Sequence, residues 1–148
     1  MLALIGDLGA GKTTLVRGIA VGLGVPARSV SSPTFVLAHE YQGRLSLTHI
    51  DLYRLKDARE TDSMGLPEFF TGPRVAAIEW ADRFPAYLPD DLLEIRLAHR
   101  SPTTRDVSFR ALGPESAELL TRIAELLRKR SSRSPREKRT GPGKASTR

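Results

Sequence analysis

The stretch Gly6-Asp7-Leu8-Gly9-Ala10-Gly11-Lys12-Thr13 decides how this chain folds. It matches G-x-x-x-x-G-K-[ST], the pattern of a phosphate-binding loop between a strand and a helix. The apolar run Leu2-Ala3-Leu4-Ile5 before it predicts a buried parallel strand. After it, Leu15, Ile19 and Leu23 recur at the spacing of one helix face. The sequence therefore predicts a strand, a glycine-rich loop and a helix in this order, as in an α/β domain.

The residues of this loop suit the phosphates of a nucleotide. Glycines let main-chain N–H groups approach phosphate oxygens, toward which the helix directs its positive end. Lys12 would reach the β- and γ-phosphates, and the Thr13 hydroxyl would ligate Mg²⁺. The nucleotide-binding residues expected in the loop are Gly9, Ala10, Gly11, Lys12, Thr13 and Thr14.

A carboxylate, Asp51, follows a predicted β-hairpin. Apolar residues alternate on both sides of the turn Gln42-Gly43-Arg44, from Phe35 to Leu47. Asp51 ends the second strand, where α/β sheets bind their ligands. Two interpretations are open from the pattern alone: a carboxylate facing the nucleotide, or a turn residue that opens Leu52-Tyr53-Arg54.

A second carboxylate, Glu79, closes the apolar run Val75-Ala76-Ala77-Ile78. Many strands end at an acid, but in a chain with a phosphate-binding loop this pattern indicates a Walker B residue, which binds Mg²⁺ or positions water. Trp80 follows and is the only tryptophan. Packing in the core is the commoner role of that residue.

The remaining periodic segments predict scaffold. Residues 92–97 and 106–110 alternate as half-buried strands. Pro114 and Glu115 mark the start of a helix. Its apolar residues predict a core-facing stripe, formed by Leu119, Leu120, Ile123, Leu126 and Leu127. His39, His49 and His99 lack the spacing of a metal site.

Composition limits the class of protein. The 148 residues include no cysteine, which excludes disulfides, cysteine catalysis and thiolate metal sites. No apolar run approaches the roughly 18 residues of a transmembrane helix, and the N-terminus lacks the basic region of a secretory signal. We therefore expect a cytoplasmic protein with one small domain and no membrane partner.

The formal net charge of +6 is unevenly distributed along the chain. Residues 128–148 hold nine Lys or Arg and one acid, a net charge of +8, which leaves −2 for residues 1–127. Since 128–148 contain no Leu, Ile, Val or aromatic residue, we expect a domain over 1–127 and a disordered basic tail over 128–148. This tail is either an electrostatic arm for RNA or a solvated end without a specific role.

Four further stretches resemble the TsaE (YjeE) family, small P-loop ATPases of bacterial tRNA threonylcarbamoyladenosine (t6A) synthesis. They are Ser32-Pro33-Thr34-Phe35, His49-Ile50-Asp51-Leu52-Tyr53-Arg54-Leu55, Met64-Gly65 and Ile78-Glu79-Trp80. The resemblance runs from about Leu2 to Leu127. It implies a single small domain with a P-loop NTPase-like mixed sheet flanked by helices. It also implies slow, Mg²⁺-dependent hydrolysis of ATP to ADP that acts on the TsaD–TsaB complex, which makes t6A37 in tRNA.

The same resemblance implies a role for each matching residue. Lys12, Asp51 and Glu79 would be catalytic, and Thr13 and Glu79 would hold Mg²⁺. Thr34 would lie in a switch-like loop near the γ-phosphate, and Trp80 would flank the nucleotide.

The chain departs from the family pattern in three ways. Family members carry a helix and a strand before the P-loop strand, whereas Met1 opens directly on that strand. We therefore expect either that the true start lies upstream of Met1 or that an edge of the sheet and part of the base pocket are missing. Residues 57–63 are less acidic than the corresponding family stretch, and the basic tail is not a family feature.

Two other functions are compatible with the motifs. A small nucleotide or metabolite kinase would need an arginine-rich lid, for which Arg54, Arg59 and Arg74 are candidates. A nucleotide-gated RNA-binding module would depend on the basic tail.

Overall fold

The structure, a computed structural model, describes residues 1–33, 36–63 and 65–132. Thr34, Phe35, Met64 and residues 133–148 lie outside the described residues. The roles expected of Thr34 and of most of the basic tail therefore stay predictions.

Six strands form one sheet in the described part of the chain. They are β1 (Leu2–Ile5), β2 (Ala38–Tyr41), β3 (Ser46–Asp51), β4 (Arg74–Glu79), β5 (Leu93–His99) and β6 (Arg105–Ala111). Their spatial order is β2-β3-β4-β1-β5-β6. The four central strands run parallel, and β2 and β6 pair antiparallel at the two edges. The sheet is mixed, as expected, and β2 and β3 form the predicted hairpin.

Helices and short 3-10 turns flank this sheet. The α-helices of the described residues are α1 (Lys12–Gly22), α2 (Ala58–Ser63) and α3 (Pro114–Ser131). The phosphate-binding loop joins β1 directly to α1, which confirms the predicted order. Gly6 starts that loop with a φ of 154°, and a Cβ there would lie 2.4 Å from the Leu97 carbonyl oxygen. Only glycine fits this turn.

Two hydrophobic clusters cover the two faces of the sheet. One lies between the sheet and α1 and α3, and its buried residues include Leu4, Val16, Ala20, Leu47, Leu93 and Ile95. The other lies on the opposite face and includes Ala3, Ile50, Leu52, Leu66 and Ile78. Because both faces are covered, the central strands are apolar on both sides, as parallel strands usually are.

The C-terminal part differs from the sequence-based expectation. Helix α3 ends at Ser131, so its last turn includes the first residues of the basic segment 128–148. Within the predicted stripe, Leu120 and Ile123 pack against the core. The expectation for the rest of the stripe is wrong, because Leu119, Leu126 and Leu127 are 40%, 61% and 56% exposed. The physical reason is that α3 packs on β5 and on the edge strand β6, and β6 is itself largely exposed rather than half-buried.

Candidate functional site

The carboxyl ends of β1, β3 and β4 meet at the N-terminus of α1 and border a cavity of about 380 Å³. The predicted catalytic residues Lys12, Asp51 and Glu79 all line it. The complete lining is Leu8, Gly9, Gly11, Lys12, Thr13, Thr14, Ser32, Asp51, Tyr53, Glu79 and Trp80. Ala10, also expected to bind nucleotide, is a fully buried residue of the loop and does not line this cavity. The fold thus brings together residues from four separate motifs.

Lys12 is held at the base of this cavity. Its ammonium group donates hydrogen bonds to the carbonyl oxygens of Gly6 and Asp7, at 2.5 and 2.9 Å, and lies 4.0 Å from the centre of the Trp80 ring. Burial lowers the pKa of Lys12 below the usual value for lysine, although the carboxylates of Glu79 and Asp51 oppose that shift. The site therefore carries a buried cation that carbonyl oxygens and an aromatic face stabilise.

Thr13 and Glu79 form the second feature of the site. The Thr13 hydroxyl donates to Glu79 Oε1 at 2.7 Å, although the two residues lie 66 positions apart. The same oxygen lies 2.8 Å from Nε2 of the buried His49. A hydroxyl and a carboxylate beside each other supply the hard oxygen ligands that Mg²⁺ prefers.

Asp51 lies next to Glu79 because β3 and β4 pair in parallel with these two residues in register. Its Oδ2 accepts a hydrogen bond from the Ser32 hydroxyl at 2.9 Å. Its Oδ1 accepts one from the backbone N–H of Tyr53, also at 2.9 Å. Asp51 therefore stabilises the turn after β3 and also lines the cavity, so the two interpretations of the sequence are compatible.

Trp80 forms one wall of the cavity and also packs against the core. Its backbone φ is 58°, a left-handed value that is uncommon for a residue other than glycine. The indole lies 5.0 Å from the ring of Tyr53, centre to centre. This turn after β4 directs the tryptophan ring toward Lys12. The same side chain therefore packs against the core and lines the cavity.

A second cavity, of about 460 Å³, lies on the other side of the loop. Its lining includes Gly9, Gly11, Thr14, Gly18, Pro102 and Arg105. The Arg105 guanidinium donates to the carbonyl oxygens of Ala10 and Gly9, at 3.2 and 3.4 Å. Arg105 thereby ties the turn between β5 and β6 to the phosphate-binding loop.

Sequence reasoning missed several residues of the site, among them Leu8, Ser32, His49, Tyr53 and Arg105. His49 had a usable signal, because it stands two residues before Asp51 and a strand places such residues on one face. Arg105 had none, since it meets the loop only through the pairing of β5 and β6 with the rest of the sheet. Long-range contacts of this kind have no local pattern.

The metal-binding capacity of the site is limited to a few oxygen atoms. No group of three or more His, Cys, Asp or Glu that could hold a metal ion occurs among residues 1–33, 36–63 and 65–132. Thr13 and Glu79 would supply two oxygen ligands, a number that suits Mg²⁺, since this ion usually takes its other ligands from substrate phosphates and water. The residues present therefore fit Mg²⁺ bound together with a nucleotide.

None of the helices in the described part of the chain combines the length and the apolar character that a membrane crossing requires.

Comparison with known proteins identifies the family of this chain. Residues 1–107 match the family model "Threonylcarbamoyl adenosine biosynthesis protein TsaE". The chain is 44% identical over 114 residues to the tRNA threonylcarbamoyladenosine biosynthesis protein TsaE of Bacillus subtilis, covering 76% of this chain and 70% of that protein. The TsaE protein of a Nostoc species is 40% identical over 114 residues, covering 74% and 68%.

A solved structure has the same fold. The crystal structure of Bacillus subtilis YdiB superposes with a TM-score of 0.69 at 35% sequence identity, covering 84% of this chain and 76% of that one. The match of residues 1–107 includes the phosphate-binding loop and both carboxylates. The chain therefore belongs to the TsaE family of threonylcarbamoyl adenosine biosynthesis proteins.

Proposed function

We propose that this protein is a Mg²⁺-dependent ATPase that supports formation of t6A37 in tRNA by acting on the TsaD–TsaB complex. Membership of the TsaE family supports a role in t6A biosynthesis. One observation carries the chemistry: the Thr13 hydroxyl and the Glu79 carboxylate lie 2.7 Å apart beside the buried Lys12, at the end of a phosphate-binding loop.

Lys12 and the loop backbone would bind the phosphates. In this structure the Lys12 ammonium group bonds to two carbonyl oxygens of its own loop. Phosphate oxygens would replace or supplement these acceptors and would stabilise the positive charge that burial disfavours. The backbone N–H groups at the start of α1 point toward the same phosphates and contribute the partial positive charge of the helix N-terminus.

Thr13 and Glu79 would hold Mg²⁺. The ion would neutralise the negative charge that develops on the phosphoryl oxygens. Asp51 stands beside Glu79 in register, and the Ser32 hydroxyl and the Tyr53 backbone fix its carboxylate. In this role Asp51 would orient the attacking water, and Glu79 would share that task.

The nucleoside would lie in the second cavity, which begins where the phosphate-binding loop passes into α1. Small residues of this stretch, Gly11, Thr14 and Gly18, line it together with Leu15 and Leu97. Arg105 borders it and donates hydrogen bonds to the loop carbonyl oxygens of Gly9 and Ala10, which would keep them away from the phosphates. The base would then contact the face of α1, on the opposite side of the loop from Asp51.

Ser32 supports a link between the nucleotide and a partner. It opens the motif Ser32-Pro33-Thr34-Phe35, and its hydroxyl bonds to Asp51 inside the cavity. A change at the γ-phosphate could therefore alter the order of this motif, a common device in nucleotide switches. Leu8 and Tyr53, which are 73% and 45% exposed on the rim of the cavity, offer apolar surface to a partner.

The test is ATP hydrolysis with and without purified TsaD and TsaB. We expect slow release of phosphate from the chain alone and faster release with both partners. Lys12→Ala should lose ATP affinity in isothermal titration, and unchanged affinity would contradict the phosphate-binding role. Faster phosphorylation of nucleoside monophosphates than hydrolysis of ATP would instead identify a kinase.

A further inference from the structure

His49 is a buried ionisable side chain to which the proposed mechanism gives no role. It is completely buried in β3, on the same strand face as Leu47 and Asp51. Packing alone does not account for an imidazole at this position, because buried polar atoms cost free energy unless they pair. Its Nδ1 has no hydrogen-bond partner among the described residues. Only Nε2 pairs, with Glu79 Oε1 at 2.8 Å.

The parallel pairing of β3 and β4 produces this contact. Asp51 stands opposite Glu79, and His49 stands opposite Ala77, two residues earlier on each strand. The carboxylate of Asp51 turns toward Ser32 and the backbone of Tyr53. His49 is therefore the residue of β3 that reaches Glu79 across the strand pair.

Both hydrogen bonds that Glu79 accepts converge on one oxygen. Thr13 Oγ1 and His49 Nε2 donate to Oε1 at 2.7 and 2.8 Å, and no donor of the described residues reaches Oε2. The side chain is only 5% exposed, yet it lines the cavity. Two donors on Oε1 fix the plane of the carboxylate and leave Oε2 for a group inside the cavity.

We infer that His49 is a positioning residue, whose Nε2–H holds Glu79 Oε1 so that Oε2 is presented to the reacting groups. This inference rests on the proposed function, since it concerns the rate of hydrolysis at the same site. In the proposed function Thr13 also binds Mg²⁺. His49 is therefore the hydrogen-bond partner of Glu79 that does not itself bind the metal. His49 does not line the cavity. It should therefore affect turnover and not nucleotide affinity.

Two amide substitutions separate this role from a structural one. The amide of His49→Gln extends about as far as Nε2, whereas that of His49→Asn is one methylene shorter and cannot reach Glu79. Both are polar and uncharged. We expect His49→Asn to lower the single-turnover rate of ATP hydrolysis about 10- to 100-fold, the usual effect of losing a partner of this kind. Its dissociation constant for ATP should stay within about twofold, and His49→Gln should recover most of the rate.

Thr48→Val is the matched control, because Thr48 is equally buried on the same strand but faces the other side of the sheet. It should hydrolyse ATP at the wild-type rate. If thermal melting shows that His49→Asn does not fold, His49→Leu replaces it, since leucine also lacks the N–H donor. Wild-type turnover in either variant, an equal loss in His49→Gln, or a parallel loss of affinity would overturn the inference. A wild-type chain that hydrolyses no ATP, even with TsaD and TsaB, would instead contradict the proposed function.

Discussion

Glu79 is the residue on which the proposed chemistry depends most. Replacing its carboxylate with an amide in Glu79→Gln should leave ATP binding measurable, because Lys12 and the loop backbone are unchanged. Turnover should fall about 10²- to 10⁴-fold, as expected for a group that acts on the attacking water or the metal. Single-turnover hydrolysis and isothermal titration measure the two effects separately.

Glu94 provides the control for this substitution. It is also a buried carboxylate at a strand position, but it pairs with Arg96 and Arg110, away from the cavity. Glu94→Gln should keep the wild-type rate of hydrolysis even if it lowers the free energy of unfolding. Hydrolysis by Glu79→Gln at a rate equal to that of Glu94→Gln would contradict a catalytic role for Glu79.

Because of Lys12, the free energy of unfolding and the affinity for ATP should change in opposite directions with pH. Burial lowers its pKa in the folded state, so the folded chain binds this proton less tightly than the unfolded chain does. The free energy of unfolding should therefore rise as pH increases from the folded pKa toward the usual lysine value. ATP affinity should fall over the same range, because the phosphates need the charged form.

Denaturant unfolding and isothermal titration across this alkaline range test both responses. Lys12→Met removes the titrating group and should lack both trends relative to the wild type. The prediction fails if the wild type and Lys12→Met show the same dependence of stability on pH.

At the scale of the element, α1 carries two open glycines that differ in position. A Cβ at Gly18 or at Gly22 meets nothing within 4 Å, but only Gly18 lines the second cavity. Leucine at either position should stabilise the helix by up to about 1 kcal/mol, since glycine is a poor helix former. Gly18→Leu should also fill the cavity proposed for the nucleoside.

Titration with ATP and with inorganic tripolyphosphate distinguishes the two parts of the ligand. We expect Gly18→Leu to weaken ATP binding at least about tenfold and to leave tripolyphosphate binding unchanged. Gly22→Leu should change neither. Undiminished ATP affinity in Gly18→Leu would mean that the nucleoside lies elsewhere.

The prediction of a fully core-facing stripe on α3 was wrong because this helix lies near the edge of the sheet. The apolar spacing in α3 correctly predicts a helix with an inward face, and Leu120 and Ile123 occupy that face. The spacing cannot tell how far the sheet extends beneath the helix. Because β6 is the last strand, Leu126 and Leu127 have little to cover them and remain exposed.

At the scale of the whole molecule, charge and catalysis occupy different parts of the chain. Helix α3 includes Arg128, Lys129 and Arg130, so deletion of the tail should begin after Ser132 to keep the helix intact. Removing residues 133–148 deletes six basic residues and one acid. ATP binding and stimulation by TsaD and TsaB should survive, because the site lies wholly within the described domain.

RNA affinity should fall in the same truncated chain and lose most of its salt dependence, since counterion release scales with the number of basic contacts. Binding of a labelled tRNA at several salt concentrations measures this effect against the full chain. Loss of ATP hydrolysis on truncation would favour the alternative in which the tail carries the function.

The sequence by itself determined the phosphate-binding loop, the hairpin, both carboxylates and the family. Each has a local cause: glycine spacing, alternation of apolar residues, or an acid at the end of an apolar strand. Tertiary structure alone decided which side chains meet. The register of β3 against β4 puts Asp51 beside Glu79 and His49 onto Oε1, and the order of the strands brings Arg105 to the loop. Such contacts join residues distant in sequence, so they depend on strand pairing, which no local pattern specifies.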